Sequence, residues 1–307
     1  MMQDPELASS PESLRIAVIG VGGIGSTFAF QLARFGHHDV TVIARHGSPR
    51  CQQLQRDKGI VKSSGERVDL CIADRLDEEI PYDLVLVTLP AHQAEAVLPA
   101  LQRSAAKWIQ FMFNTFDPER LRDAVGADRC SFGMPFVQAT IDPSGKLNAK
   151  IGTGGQKTKM NDERWVNLFN AAGLPAVMEA DMLLWLRCHV PMCIAFESVS
   201  VAGVRRGGGA SWKQALMVAR GLQESFTLIQ ALGYRLYPSG KAGLSAAPVL
   251  LPAGMLWSLS HVRSFREVLA TGVNECRALV DTLIANSRQM GASVSIAKIA
   301  GMKPTDI

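Results

Sequence analysis

Apolar and polar positions along the first half of the chain predict strands and helices in turn. Residues 14–19 form an apolar run of strand length, and a helical apolar period follows from residue 23 to about Phe35. Further strands are predicted at 40–44, 59–62, 66–71, 82–89, 108–113, 129–138 and 146–152, and helices at 49–58 and 91–101. Strands that alternate with helices predict a parallel sheet covered by helices on both faces.

The second half of the chain changes character near residue 178. From there the apolar positions recur mainly at helical spacing, over 181–203, 211–233, 250–270 and 273–290. We therefore expect a disordered tail at 1–12, an α/β domain at 13–178 and a helical domain at 179–307. The substrate cleft is expected between the two domains.

A glycine motif follows the first strand. The sequence Gly20-x-Gly22-x-x-Gly25 stands between the apolar run and the helical pattern, as in dinucleotide-binding folds. Its three glycines allow a tight turn, a close approach of pyrophosphate and close packing of helix on strand. The helix start at Gly23 and Ile24 offers free N–H groups to phosphate. The predicted fold class is α/β, a Rossmann-type doubly wound sheet plus an all-α C-terminal domain.

The end of the second strand indicates the type of cofactor. Proteins that prefer NAD usually carry an acidic residue there to bind the ribose 2′-hydroxyl. This chain has Arg45 and His46, with Arg50 close behind, and we expect no carboxylate to be available on that edge of the sheet. A guanidinium suits a 2′-phosphate, so the sequence predicts NADP(H) as the cofactor. The domain at 13–178 is therefore the predicted NADP-binding domain, and the domain at 179–307 is the predicted catalytic and substrate-binding domain. The alternative is that Arg45 is an ordinary surface charge.

Composition narrows the class of protein. The net charge of +4 comes from 32 basic and 28 acidic residues without a basic cluster, which argues against nucleic acid as a partner. The six cysteines show no metal-binding or disulfide spacing, so we expect no metal and a reducing compartment. The N-terminus lacks the apolar segment of a signal peptide, and charges interrupt the apolar stretch at 183–204. A cytoplasmic protein without a membrane span is expected.

Four features together resemble the ketopantoate reductases (2-dehydropantoate 2-reductases). They are the glycine turn with Arg45, the segment LVTLPAHQ at 86–93, Asn114 after the next strand, and Glu275 on the last long helix. The resemblance implies cofactor contacts from Leu89, Gln93 and Asn114, and catalytic roles for Asn114 and Glu275. It implies hydride transfer from NADPH to the carbonyl of a 2-keto acid and a place in pantothenate biosynthesis. The apolar helical second domain is compatible with a homodimer.

The resemblance weakens on the first C-terminal helix. Family members carry a lysine there as general acid, and Arg187 takes its position in the segment Trp185-Leu-Arg-Cys-His189. Arginine can stabilise an oxyanion but is a poor proton donor. The family's asparagines one and two turns further on are replaced by Pro191 and Ala195, which predicts a less polar substrate.

Substrate contacts are expected from Arg187 and from the region where the family has a serine, which here offers Ser260, Arg263 and Ser264. The leading interpretation is an NADPH-dependent reductase of the 2-dehydropantoate 2-reductase type with an altered substrate. The alternative is a non-catalytic NADP(H)-binding redox sensor or partner-binding protein, which would need the glycine turn but not Asn114 and Glu275.

Overall fold

The computed structural model describes residues 13–304, so the predicted tail at 1–12 lies outside the described residues. The strands are β1 Arg15–Ile19, β2 Asp39–Ile43, β3 Gly59–Val61, β4 Arg67–Asp69, β5 Cys71–Ala73, β6 Leu84–Val87, β7 Ile109–Met112, β8 Cys130–Met134, β9 Val137–Ile141, β10 Leu147–Ile151, β11 Thr158–Met160 and β12 Ala176–Met178.

The α-helices are α1 Gly23–Arg34, α2 Pro49–Asp57, α3 Ala91–Ala94, α4 Leu98–Arg103, α5 Pro118–Val125, α6 Glu163–Ala171, α7 Met182–Arg205, α8 Trp212–Ala231, α9 Ser239–Ala246, α10 Leu250–His261, α11 Arg263–Leu269, α12 Val273–Gln289 and α13 Ile296–Ala300. Three short 3₁₀ turns lie at Ala127–Arg129, Thr153–Gly155 and Gly291–Ser293.

Eight strands form one sheet in the order β12-β11-β8-β7-β6-β1-β2-β5. Neighbouring strands are parallel except at β8 and β11, which pair antiparallel. The strand order reverses between β1 and β6, since the chain builds outward from β1 through β2 and then returns to its other side. A doubly wound sheet binds its ligand at the carboxyl ends of the strands on either side of such a reversal. The predicted α/β fold class is confirmed.

Two hairpins, β3–β4 and β9–β10, lie outside the main sheet, and the second packs on α1. The cores on the two sides of the sheet are built from the apolar strand positions that the sequence indicated, such as Ile16 and Val18 on one side and Ala17 and Ile19 on the other. Side chains alternate between the faces of a strand, so β1 supplies both cores.

The helices after β12 enclose a separate apolar core around α7 and α8. In the part of the chain that the structure describes, α7 is the single unbent helix long and apolar enough to cross a membrane, and 67% of its most apolar window is buried in the fold. A core helix meets the same criterion of length and composition. The change from strands to helices falls between Met178 and Met182, and the division of the chain into domains stays a prediction.

Three predicted elements differ in detail from the structure. The helix expected at 91–101 is two helices, because Pro99 begins a new one near Leu98. The helix expected at 250–270 breaks at Val262, where Arg266 donates to the carbonyl of Ser260 at 2.9 Å. The strand expected at 129–138 is two strands, β8 and β9. Elements α5, β11, α6, β12, α9 and α13 are additional to those expected.

Candidate active site

The glycine turn is held against the end of β6. Gly20 has φ +95°, and a Cβ on it would lie 2.9 Å from the backbone nitrogen of Leu89. A Cβ on Gly25 would lie 2.3 Å from the carbonyl oxygen of Gly20 and 2.4 Å from the Thr88 Oγ1. The Thr88 hydroxyl donates to the Gly20 carbonyl at 2.6 Å. The turn is thus locked to the neighbouring strand, and Thr88 is a contributor that the motif alone did not reveal.

The space in front of the turn suits a pyrophosphate. A Cβ on Gly22 would have no atom within 4 Å among the described residues, so this side of the turn is open. Gly22 is also the N-cap of α1, and no side chain in residues 13–304 caps the helix there. Uncapped N–H groups at a helix N-terminus bind anions. The residues present therefore fit the dinucleotide that the motif indicates.

Gly23 and Ile24 contribute differently from what the motif suggested. A Cβ on Gly23 would lie 2.4 Å from the carbonyl oxygen of Ala139 in β9, so glycine is needed there for packing of the hairpin. Ile24 packs against the core beneath the sheet. Only their backbone N–H groups, at the start of α1, remain for a phosphate.

Arg50 supports the turn from below. Its guanidinium donates to the Val21 carbonyl at 3.0 Å, to the Ser26 Oγ at 2.8 Å and to the Gly145 carbonyl of the β9–β10 turn at 2.9 Å. These three partners occupy the guanidinium of Arg50. Arg45 is exposed, and its guanidinium has no hydrogen-bond or ion-pair partner within residues 13–304.

The edge near Arg45 does carry a carboxylate. Asp74 follows β5, and β5 is the parallel neighbour of β2, so their carboxyl ends meet. The Asp74 Oδ2 lies 2.8 Å from the Nδ1 of His46. The expectation that no carboxylate is available at this edge is therefore wrong, because Asp74 comes from a strand about 30 residues further along the chain. Asp74 contacts His46, however, and not Arg45.

Asn114 and Glu275 meet across the cleft. Asn114 follows β7 at the ligand-binding edge of the sheet, is 8% exposed, and its Nδ2 donates to the Glu275 Oε1 at 3.5 Å. Glu275 lies in the first turn of α12, where the helix dipole favours a negative charge. Burial raises the pKa of Glu275, and the hydrogen bond from Asn114 lowers it in part.

The face of α7 that lies toward Asn114 is not the face of Arg187, Pro191 and Ala195 that the family resemblance predicts. The Cys193 Sγ donates to the Asn114 Oδ1 at 3.4 Å, so the residues at four-residue intervals from Cys193 share this face: Trp185, His189, Cys193 and Glu197. Pro191 is buried, and Ala195 packs in the helical core. These two residues therefore give no support to the expectation of a less polar substrate, which stays a prediction.

Glu197 is the acidic end of this face. Its Oε2 is buried and has no hydrogen-bond partner within the described residues, and the backbone of Gly272 at the start of α12 lies close by. Burial, followed by the charge of Glu275, raises the pKa of Glu197 to about 8. The carboxyl groups of Glu197 and Glu275 thus lie at the same end of the face, and that of Glu197 is largely protonated at neutral pH.

The other end of the face is aromatic and basic. The ring of His189 stacks on Trp185 with centroids 4.3 Å apart. His189 lines a cavity of about 490 Å³ together with Phe136, Gln156, Lys157, Lys159 and Val177. Burial, with smaller contributions from Lys241 and Lys159, lowers the pKa of His189 to about 3. The imidazole is therefore neutral at physiological pH and cannot be the proton donor.

Arg187 lies on a different face of α7. Its guanidinium, with the side chain 5% exposed, donates to both oxygens of Glu119 on α5 at 2.9 and 2.6 Å and stacks over Tyr234 at 3.9 Å. The structure therefore does not bring it to Asn114 and Glu275. The catalytic and substrate-binding roles predicted for Arg187 have no support from this placement, since a guanidinium held in a buried bidentate pair is not available to a ligand.

The three residues expected near the family's serine do not reach the cleft either. Ser260 is buried, accepts from the Ala210 N–H at 2.9 Å and donates to the Trp257 carbonyl at 2.7 Å. The Arg263 side chain is 82% exposed and pairs with Glu267 at 2.8 Å, and Ser264 is exposed. These contacts give no support to the substrate contacts expected from the three residues, which stay predictions.

Gln93 remains near the cofactor side. It lies on α3, which packs against α12, and its exposed amide is 3.4 Å from the ring of His92. Leu89 covers the glycine turn, since a Cβ on Gly20 would lie 2.9 Å from the Leu89 Cδ2. Within residues 13–304 no group of three His, Cys, Asp or Glu side chains is placed to hold a metal ion. All six cysteines are free thiols.

Comparisons with known proteins agree with this geometry. Residues 16–162 match the family model of ketopantoate reductase PanE/ApbA. A 2-dehydropantoate 2-reductase of Bacillus subtilis (strain 168) is 32% identical over 103 residues, which span only about a third (33%) of this chain and of that relative. A crystal structure of 2-dehydropantoate 2-reductase from Porphyromonas gingivalis W83 is 15% identical, with a TM-score of 0.65 over 95% of this chain and 98% of that one.

A second solved structure is the complex of D-mandelate dehydrogenase with NADH, 14% identical, with a TM-score of 0.70 over 94% of this chain and 96% of that one. The fold and the glycine turn are those of proteins that combine a dinucleotide-binding α/β half with a helical half. The resemblance to the ketopantoate reductase family is confirmed, through the family model over most of the first half and through the shared fold over nearly the whole chain.

Proposed function

We propose that the protein is an NADPH-dependent reductase that transfers hydride to the carbonyl of a 2-keto acid. One observation carries the proposal: Asn114, at the ligand edge of the sheet, contacts Glu275 of the helical half, on the same edge as the open glycine turn. A binding module without catalysis would not need this polar contact across the cleft. The family match, and the solved D-mandelate dehydrogenase crystallised with NADH and anilino(oxo)acetate, support the same class of reaction.

Residues of both halves of the protein contribute to the proposed reaction. When bound, the reduced cofactor supplies the hydride. The glycine turn and the start of α1 hold its phosphates, and Asn114 with Glu275 orders the groups at the reacting end. The cavity lined by Lys157, Lys159 and His189 offers positive charge and polar nitrogens to an anionic substrate. Arg187 is assigned a structural role instead, as the tie between α5 and α7.

The preference for NADPH rests on Arg45. Its free guanidinium can form paired hydrogen bonds to a 2′-phosphate, whereas Asp74 is held by His46. We expect Arg45→Ala to weaken NADPH binding about tenfold, the effect of one lost charge-assisted contact, and to leave NADH binding unchanged. Isothermal titration of both dinucleotides against both proteins measures this. Equal weakening of NADH and NADPH would refute the assignment of Arg45.

Turnover is the test of the proposed activity. The purified protein is mixed with NADPH and a panel of 2-keto acids that includes ketopantoate, and the absorbance of NADPH is followed. Oxidation with at least one 2-keto acid is expected. Tight NADPH binding without oxidation by any of them would favour the redox sensor or partner-binding protein.

The proposal extends to assembly. Trp212 on α8 and Trp257 on α10 are 45% and 39% exposed and contact each other edge to face at 6.5 Å. Exposed aromatic pairs are typical of protein interfaces. A solved relative is described as a dimeric ketopantoate reductase, from Staphylococcus aureus. Light scattering of the purified protein is expected to give twice the mass of the chain, and a monomer would contradict this.

A further inference from the structure

The start of α9 carries a cation without an anionic partner among the described residues. Lys241 lies on α9 and is half-buried, yet in the described part of the chain no carboxylate lies within ion-pair distance of its ammonium group. The neighbouring acid, Glu179, is already bound by Lys159 at 2.8 Å and by the Tyr237 hydroxyl at 2.7 Å. Buried ammonium groups are normally paired, because loss of water is costly for a charge. An unpaired one suggests a ligand.

The position of Lys241 connects it to the cleft face of α7. Its Nζ donates to the carbonyl of Trp185 at 3.4 Å and lies 4.8 Å from the centroid of the Trp185 ring. Trp185 stacks on His189, which lines the cavity. Cys193, which contacts Asn114, stands four residues beyond His189, about 6 Å along the helix. The lysine thus stands beside the stretch of α7 that faces Asn114.

We propose that Lys241 is the proton donor of the reduction, a catalytic lysine that reaches the substrate carbonyl from α9 rather than from α7. The inference rests on the proposed function. In the step, hydride adds to the carbonyl carbon and breaks the C=O π bond. The Nζ–H bond breaks as its proton moves to the carbonyl oxygen and forms the hydroxyl. Lys241 is left as a neutral amine and recovers its proton from solvent.

The electrostatic surroundings suit this role. Burial lowers the pKa of Lys241 to about 8. The ionisable groups that face it are the thiols of Cys188 and Cys193, the carboxylate of Glu179 and the ammonium of Lys159, together with His189. A donor with a pKa near the working pH is both protonated and able to release its proton. Arg187 cannot do this, since its guanidinium stays charged and is bound to Glu119.

Variants of Lys241 separate charge from proton transfer. Lys241→Arg keeps a cation but has a far higher pKa. We expect its kcat to fall at least a hundredfold, its KM for the keto acid to change less than about fivefold, and the alkaline limb of the pH–rate profile near pH 8 to disappear. Lys213→Arg, at an exposed lysine on α8, is the matched control and is expected to keep the wild-type profile. If Lys241→Arg keeps the kcat and the alkaline limb, Lys241 is not the donor.

A second measurement does not depend on turnover. Lysines of the full-length protein are reductively methylated with ¹³C, and the methyl signals are titrated by NMR. One signal, missing from Lys241→Arg, is expected to titrate near pH 8 and to shift when oxamate, a keto-acid analogue, is added with NADP. Titration above pH 10, or no response to oxamate, would overturn the inference. Absence of NADPH oxidation in the wild type, with the titration as expected, would instead count against the proposed function.

Discussion

The glycine turn and the cleft face of α7 depend on different physical effects, although the proposed function needs both, one for the cofactor and one for the keto acid. The turn is a matter of space: Gly25 lies so close to Gly20 and Thr88 that a side chain cannot be inserted. The cleft face of α7 is a matter of charge: Glu197 has no hydrogen-bond partner for its buried oxygen in the described residues, and its pKa is raised to about 8. Steric constraints specify a residue type locally, whereas electrostatic ones depend on every neighbour.

The largest effect is expected from breaking the steric side of this comparison. Gly25→Val places a branched side chain where a Cβ alone would be 2.3 Å from the Gly20 carbonyl oxygen. We expect NADPH binding to weaken about a thousandfold, ~4 kcal/mol, because the turn must open to accept the side chain. Fluorescence titration with NADPH measures the change.

Gly22→Ala is the matched control for this substitution. Its Cβ would meet no described atom within 4 Å, so the protein should fold with wild-type stability and lose NADPH affinity only through contact with the cofactor. If Gly25→Val binds NADPH as well as the wild type does, the glycine turn is not the cofactor site.

Next in size is the ion pair of Arg187 and Glu119, which tests whether Arg187 belongs with the structural or the chemical groups. Arg187→Met leaves the half-buried Glu119 without its partner and is expected to lower the free energy of unfolding by about 3 kcal/mol. NADPH affinity and kcat should stay within about threefold of the wild type, since the guanidinium does not reach Asn114. Urea unfolding and steady-state kinetics measure the two quantities.

Two further variants sharpen this prediction. In Arg187→Met/Glu119→Leu both charges are gone, so most of the stability should return. The exposed pair of Arg103 and Glu78 is the comparison, and Arg103→Met is expected to lower the stability far less than Arg187→Met does. A hundredfold loss of kcat in Arg187→Met at unchanged stability would return the arginine to the catalytic machinery.

The smallest effect is a pH dependence of stability that comes from Glu197. Its pKa is about 8 in the fold, against an ordinary value of 4.5. Between these values the folded state keeps a proton that the unfolded state has lost, so stability falls as pH rises, by at most about 1.4 kcal/mol per pH unit. Glu197→Gln replaces the carboxyl group with an amide that does not titrate, so the stability of this variant is expected to fall less as the pH rises.

The range from pH 6.5 to 8 is the one to measure by urea unfolding. Below it, His189 gives the opposite slope, because its pKa is lowered from 6.5 to about 3 in the fold and the unfolded state binds the extra proton. Glu267→Gln, at an exposed glutamate on α11, is the control and should leave the slope unchanged. A slope that is the same in Glu197→Gln and the wild type would show that Glu197 is ionised in the fold.

The positions of site residues that depend only on the neighbouring strand, turn or helix could be predicted from the sequence. The order of strand, glycines and helix predicted the turn, and the position after β7 predicted Asn114 at the ligand edge. Residues that act through distant partners could not. The sequence placed Arg187 in the cleft by its spacing from Trp185, but the structure turns that face of α7 toward Glu119, 68 residues earlier in the chain. Lys241 gave no signal, since α9 was not among the predicted helices.

The sequence by itself determined the doubly wound sheet, the glycine turn and the family resemblance, because apolar periodicity and glycine geometry are local properties of the chain. The tertiary structure alone decided which face of α7 meets Asn114, that Asp74 binds His46, and that Lys241 stands unpaired beside Trp185. These outcomes depend on how helices rotate about their axes as they pack and on which charges then become neighbours. Such relations between distant segments leave no periodicity in the chain.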